Sequence, residues 1–155
     1  MNWQLPDEAF RYLRRLPMGA TVLELGSGDG TARLIEMGFK VYSVEHDPEW
    51  VGRVPGALYI HAPIVDGWYD AEIIKRSMPS RYECLIVDGP PGSIGRQGML
   101  KHMDLFWRRS PVLVDDVHRQ AERVLLLHLV KEWGVPFSVH HIRDRAFATF
   151  GWGDL

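Results

Sequence analysis

With one cysteine in 155 residues, the chain cannot close an intramolecular disulfide. Cys84 sits in the apolar run ECLIV and reads as a small buried hydrophobe rather than a reactive thiol. Excess charge is also missing: the formal net charge is -2 and the pI is near 6.4. Such a balance gives no bulk attraction to a polyanion and argues against nucleic acid as the partner. No apolar run approaches the roughly 20 residues of a membrane span, and the opening MNWQLPDEAFRYLRRL mixes its charges too freely for a secretory signal. A cytoplasmic chain without membrane contact is expected. Repeats, low-complexity tracts and linker-like stretches are lacking as well. At 46% hydrophobic content the chain can bury one good core and hardly two, so residues 1–155 are expected to form one domain.

What is present is an alternation of short β-branched runs with segments of helical character. The runs Val22–Leu25, Val41–Val44, Leu58–Ile60, Cys84–Val87, Val112–Val114, Ser138–Ile142 and Ala146–Phe150 predict strands. Helices are expected at Asp7–Arg15, Thr31–Met37, Tyr69–Ser77, Gly98–Arg108 and His118–Trp133. In the last of these, Ala121, Val124, Leu125, His128 and Leu129 share one face at helical spacing. The final two runs have no helix between them and predict an antiparallel hairpin at the sheet edge. The fold class is therefore α/β: a Rossmann-like, doubly wound, mostly parallel seven-stranded sheet with a C-terminal antiparallel hairpin.

Glycine is concentrated where it matters. After the first strand, LELGSGDGT places Gly26, Gly28 and Gly30 around Ser27 and leads into a helix. A glycine-rich turn there lets a ligand lie against bare backbone at a helix start, beyond the carboxyl ends of the strands. The dinucleotide fingerprint needs Gly or Ala where Thr31 stands. Glu24, two residues before the first glycine, suits a cationic ligand group better than a pyrophosphate. Glu45 ends the second strand about 20 residues after Gly26, the spacing at which a carboxylate holds a ribose diol. GPPGSIGRQG suggests a phosphate loop but lacks its Gly-Lys-Ser/Thr, so that reading is discarded.

Together, LELGSGDG, VYSVEHDPEW and YECLIVDGPPG resemble the class I S-adenosylmethionine-dependent methyltransferases over nearly the whole chain. The resemblance implies that Gly26, Ser27, Gly28 and Gly30 run under the methionine part of the cofactor. It also implies that Glu45 takes the ribose hydroxyls with His46 beside it, and that the region of Ala62 meets adenine. Glu24 and Asp88 complete the implied cofactor set.

Asp88 closes the fourth strand and Asp115 and Asp116 close the fifth, so three carboxylates are expected on one rim, a set suited to a divalent cation such as Mg. This arrangement resembles catechol-type O-methyltransferases. IVDGPPG, GRQG and VLVDDVHRQAER are similar to the glucuronoxylan 4-O-methyltransferase family. No lysine lies three residues after Asp88, where a catechol-type base would stand. His118 is the candidate base, alongside Asp88, with a surface first-turn residue as its other reading. Asp116 reads equally as a cap of the following helix. Arg96, Arg119 and Arg123 are either solvated or positioned to pair with a sugar carboxylate. Trp107 and Trp133 are expected in the core, and Trp68 is the tryptophan placed to stack on a sugar.

The favoured function is an O-methyltransferase acting on a hydroxyl of a sugar or other small molecule, or of a glycan end. Alternatives are a nucleic-acid or protein methyltransferase, a cofactor-binding module without catalysis, or an NAD enzyme. Against the nucleic-acid case, Gly92 occupies the place of the aromatic that stacks on a flipped base in Asn/Asp-Pro-Pro-aromatic turns. Nothing in the sequence sets the oligomeric state.

Overall fold

The computed structural model describes residues 4–153. Five parallel strands form its centre: β1 (Thr21–Leu25), β2 (Lys40–Glu45), β3 (Leu58–His61), β6 (Cys84–Val87) and β7 (Val112–Val114). They are short and rich in Val, Leu and Ile because both faces are covered, which removes the need for a polar alternation. A small antiparallel pair, β4 (Ile64–Val65) and β5 (Trp68–Tyr69), stands apart. The hairpin β8 (Phe137–Ile142) and β9 (Arg145–Phe150) completes the main sheet, in the order β3-β2-β1-β6-β7-β9-β8. β9 runs antiparallel to β7, as the terminal hairpin predicts.

Helices α1 (Asp7–Leu13), α2 (Asp29–Glu36), α3 (Ala71–Ser77) and α4 (Gln120–Trp133) cover the sheet. Alternate residues of each strand feed two cores. Val22, Val41, Ile86 and Leu113 pack with Phe10 and Leu34 of α1 and α2. Leu23, Leu85, Val87 and Val114 pack with Ile74, Leu125 and Leu129 of α3 and α4. Cys84 is fully buried and its thiol is raised by that burial, as the apolar run predicts. Among the described residues, no helix is long and apolar enough to cross a membrane.

Several expected elements differ. The segment 98–108 is not an α-helix but two 3-10 turns, Gln97–Lys101 and Met103–Leu105. Packing overrides its periodicity: Gly98 lies against the Trp68 side chain, and His102 stacks on the Trp68 indole with ring centroids 5.4 Å apart. Tyr69 belongs to β5, and α3 starts at Ala71 because the Asp70 carboxylate accepts the Glu72 and Ile73 amides. α4 starts at Gln120 and stops at Gly134, which adopts the left-handed conformation that glycine permits. Its buried face is Glu122, Leu125, Leu126, Leu129 and Val130, whereas Val124 and His128 face outward. Trp107, expected in the core, is 58% exposed, and Trp68 is buried and so unable to stack on a sugar.

Candidate active site

Parallel pairing brings the exits of β1, β2, β6 and β7 to one edge, delivering Gly26, Glu45, Asp88 and Asp115 to the mouth of one cavity of about 820 Å³. Its two ends differ in chemistry.

At one end is Glu45. Oε1 accepts the Ser27 amide at 3.2 Å and Oε2 the Asp47 amide at 2.7 Å, so the carboxylate is held by backbone on both oxygens. Each oxygen keeps lone-pair capacity for a ligand diol. His46 lies beside it, with Nδ1 3.1 Å from Glu45 Oε2, and both residues line the cavity.

The glycines divide their work. Gly26 has φ +97°, and a side chain there would meet the Asp88 carbonyl oxygen at 2.8 Å. It lets the exits of β1 and β6 touch. Gly30 is buried under Gln4 and Phe10, and Gly28 caps α2. Of the expected cofactor loop, Gly26 and Ser27 line the cavity, while Gly28 and Gly30 lie outside its lining.

Glu24 does not reach the cavity either. It is buried and accepts hydrogen bonds from Thr31 Oγ1 at 2.5 Å and Ser43 Oγ at 2.8 Å. Thr31 Oγ1 in turn accepts the Gly28 amide, so Glu24 ties β1, β2 and the first turn of α2 into one network. Burial raises its carboxyl to about 7. Ala62 is likewise buried, its amide donating to the Glu45 carbonyl. The expected ligand contacts of Glu24 and Ala62 are therefore supporting ones in this structure.

At the other end, ligand oxygens of Asp88, Asp115 and Asp116 come within 4.8 Å of one another. Their charge is answered from within. Arg96 is 2% exposed, neither solvated nor free for a sugar carboxylate. It donates to the Pro90 and Asp115 carbonyls and pairs with Asp116 at 2.9 Å and Asp88 at 3.6 Å. Arg145 holds Asp115 at 3.1 Å and Arg119 lies 3.4 Å from Asp116, both from the cavity wall. Arg123 instead donates to the Val117 carbonyl. Asp116 does not cap α4. It takes φ 63°, a region that non-glycine residues seldom occupy, and its side chain is turned to Arg96. Burial and the neighbouring Asp115 and Asp116 charges hold the Asp88 carboxyl well above the usual range, against the opposing pull of Arg96. Burial pushes Asp115 to about 6, and its Oδ1 has no hydrogen-bond partner.

His118 lines the cavity, but its Nδ1 accepts the Ala146 amide at 3.1 Å. The neutral ring therefore carries its hydrogen on Nε2, making it a donor to the cavity rather than a base. Sequence reasoning missed Tyr69 and Arg145, which also line the cavity. An Asp cap at position 70 was the available signal that Tyr69 precedes the helix.

The neighbours in fold agree with this geometry. The chain is similar to fibrillarin from Aeropyrum pernix with natively bound S-adenosyl-L-methionine, at 17% identity and TM-score 0.62, over 92% of this chain and 74% of that one. It is similar to the C-terminal domain of precorrin-6Y C5,15-methyltransferase from Rhodobacter capsulatus, at 15% identity and TM-score 0.62, over 95% and 89%. It also resembles MycE methyltransferase of the mycinamycin biosynthetic pathway, in complex with Mg, S-adenosylhomocysteine and mycinamycin VI. There the identity is 18% and the TM-score 0.56, over 93% of this chain and 45% of that one. The fold is that of S-adenosylmethionine-dependent methyltransferases. No family model matches the sequence, and no curated protein matches it. The neighbours' names carry different targets, so the fold alone selects no acceptor and does not single out the glucuronoxylan or catechol enzymes.

Proposed function

We propose that this protein is an S-adenosylmethionine-dependent O-methyltransferase acting on a hydroxyl of a sugar or other small molecule. The observation that carries this reading is one cavity with a backbone-anchored Glu45 at one end and the Asp88, Asp115 and Asp116 cluster at the other. Glu45 would hold the ribose diol, and Gly26 and Ser27, which line the same cavity, would hold the methionine part. The cofactor supplies an activated methyl group, so the chain's own task is to orient an acceptor oxygen, manage its proton and exclude water.

Methylating a neutral hydroxyl releases a proton, and Asp88 is the group at hand to receive it. Burial and the neighbouring Asp115 and Asp116 charges raise its proton affinity, so in its ionised form it is a stronger base than a solvated carboxylate. His118 Nε2–H holds an acceptor oxygen in place. A divalent cation also fits the donor set: Asp88, Asp115 and Asp116 bring ligand oxygens within 4.8 Å of one another, and the buried Asp115 Oδ1 has no hydrogen-bond partner. Such an ion would lower the acceptor hydroxyl's pKa.

Titration calorimetry tests the cofactor half. S-adenosylhomocysteine should bind and NAD should not, and Glu45→Ala should weaken the binding by at least tenfold, since each lost hydrogen bond to a charged group is worth roughly 1.5 to 3 kcal/mol. Binding of NAD alone would refute the reading. A panel of hydroxylated, protein and RNA acceptors with labelled cofactor then tests the acceptor class. Label in protein or RNA only would replace the small-molecule reading.

A further inference from the structure

The parallel strands that deliver their exits to the cavity gather their entrances at the opposite end of the molecule. Hydrogen bonds join the loops there into one face. The Lys40 amide donates to the Ala20 carbonyl, the Glu83 amide to the Thr21 carbonyl, and the Trp107 amide to the Tyr82 hydroxyl. The Trp152 indole donates to the Val112 carbonyl, and Arg15 to the Trp152 carbonyl.

Charge is divided unevenly between the two ends. The segments 14–20, 36–40, 75–83, 106–111 and 131–136, which form the entrance face, carry nine lysines and arginines against three glutamates, Glu36, Glu83 and Glu132. All nine cations are exposed. Glu83 is already taken by the Thr21 amide at 2.6 Å. Apart from Arg15, none of these cations stands in an ion pair among the described residues. The whole chain carries -2, so the rest of it is strongly acidic, and Glu45, Asp47, Asp88, Asp115 and Asp116 line the cavity. A small net charge conceals a molecule that is polar from end to end.

Apolar side chains project from the same basic face. Met18, in the turn between α1 and β1, is 93% exposed. Trp107, just before Arg108 and Arg109, is 58% exposed, and Phe137, which opens β8 opposite Phe150, is 41% exposed. Cations set around protruding methionine and aromatic side chains match an anionic bilayer surface: the charges meet the headgroups, and the apolar groups enter the boundary with the acyl chains.

We propose that the strand-entrance face docks on an anionic lipid surface, with Met18, Trp107 and Phe137 entering it and the lysines and arginines facing its headgroups. The cavity then points away from the membrane, and docking is independent of what the cavity binds. A nucleic acid would use the same cations but fits less well. Bound here it lies about 17 Å from the cavity, the length of the five-residue β1, and its phosphates offer nothing to Met18.

Co-sedimentation with vesicles of phosphatidylserine and phosphatidylcholine in equal parts, beside vesicles of phosphatidylcholine alone, tests it. Wild type should sediment with the first and not the second at low ionic strength, and should come off as added salt screens the charges. A chain of net charge -2 has no general attraction to such vesicles, so binding reports this face. Arg81→Glu, Arg108→Glu and Arg109→Glu together should lower the partition at least about tenfold, since basic residues near the surface attract and their reversals repel. Met18→Ser with Trp107→Ser should lower it at least about tenfold through lost apolar burial, with the salt dependence kept. All five side chains are exposed, so both variants should match wild type in unfolding temperature and in S-adenosylhomocysteine binding. Wild type that ignores anionic vesicles or binds both kinds equally overturns the lipid docking, as does undiminished binding by either variant. If the vesicles fail and a single-stranded RNA binds in the same salt series, the face belongs to nucleic acid instead.

Discussion

Arg96 Nη2 stands 2.9 Å from Asp116 Oδ2 and 3.6 Å from Asp88 Oδ1, with its side chain sealed from solvent. Its other nitrogens donate to the Pro90 and Asp115 carbonyls. One guanidinium therefore binds the exit of β6 to the exit of β7, using the planar fork that lysine lacks. The two strands already pair, and just past β7 the Asp115 amide donates to the Val87 carbonyl at 3.0 Å; Arg96 extends that tie to the Pro90 turn and to Asp116. Asp116 needs it most, since its positive φ stores backbone strain of about 1–3 kcal/mol.

Arg96→Met should cost about 3–5 kcal/mol, the usual loss when one partner of a buried ion pair is removed and the other is left unpaired. Arg119→Ala, at the half-exposed rim, should cost less than about 1 kcal/mol. Urea unfolding of the two variants beside wild type measures both. Near-equal small losses would show that the carboxylates are compensated by solvent instead.

Glu24 makes stability depend on pH. Its carboxyl titrates near 4.5 when free and about 7 when folded. Between those values the folded protein keeps a proton that the unfolded chain has released. Stability is thus full below the lower value and falls as pH rises through the window, by about 1.4 kcal/mol per unit and about 3 kcal/mol in all. Asp88 and Asp115 slope the same way, so the comparison must be with a variant. Glu24→Gln removes this one term. Unfolding curves at pH 5 and 8 should show the variant losing about 2–3 kcal/mol less than wild type across that interval. Parallel losses would place Glu24 at an ordinary carboxylate value.

The strands and their edge hairpin were legible because a sheet covered on both faces needs continuous Val, Ile and Leu, and little else in the sequence offers such runs. Glu45, Asp88, Asp115 and Asp116 were legible as strand-end acids for the same reason. The face of α4 was not, since Val124, Leu125, Leu126 and Leu127 are apolar in every direction. There the buried Glu122 goes with the stripe that faces in. Glu24 and Gly30 read as ligand contacts from their spacing, but the chain uses them beneath the loop, where a carboxylate and a bare Cα hold α2 against β1 and α1. His118 was legible as a cavity residue and not as a donor, because its tautomer is set by the distant Ala146 amide. Arg145 and Tyr69 enter from a hairpin and a two-residue strand, and only tertiary packing places such segments.

Gly26→Ala should fail structurally rather than chemically. The position has φ +97°, and the added carbon would stand 2.8 Å from the Asp88 carbonyl oxygen, which is backbone and cannot swing away. A loss of about 2–3 kcal/mol or more is expected, from strain and overpacking together. Gly28→Ala is the contrast, because Gly28 has φ -165°, an extended conformation open to any residue. Thermal unfolding of the pair should show a large drop for the first and a small one for the second. Similar curves would mean that the β1 and β6 exits are free to separate.

Chelation separates the two roles open to the acid cluster. If a divalent ion bridges protein and acceptor, Asp88, Asp115 and Asp116 would hold it, beside the guanidinium of Arg96. Chelator should then suppress methyl transfer at least tenfold and added Mg restore it, with S-adenosylhomocysteine binding unchanged throughout, since Glu45 lies at the far end of the cavity. Asp115→Asn should abolish the response to Mg while leaving Glu45 and its amide bonds untouched. If Asp88 takes the proton unaided, activity should ignore chelator and added Mg alike. Asp88→Asn should still stop turnover, because an amide cannot receive a proton at neutral pH. Full activity in both chelator and Asp88→Asn would remove the cluster from the chemistry and leave it a structural tie between β6 and β7.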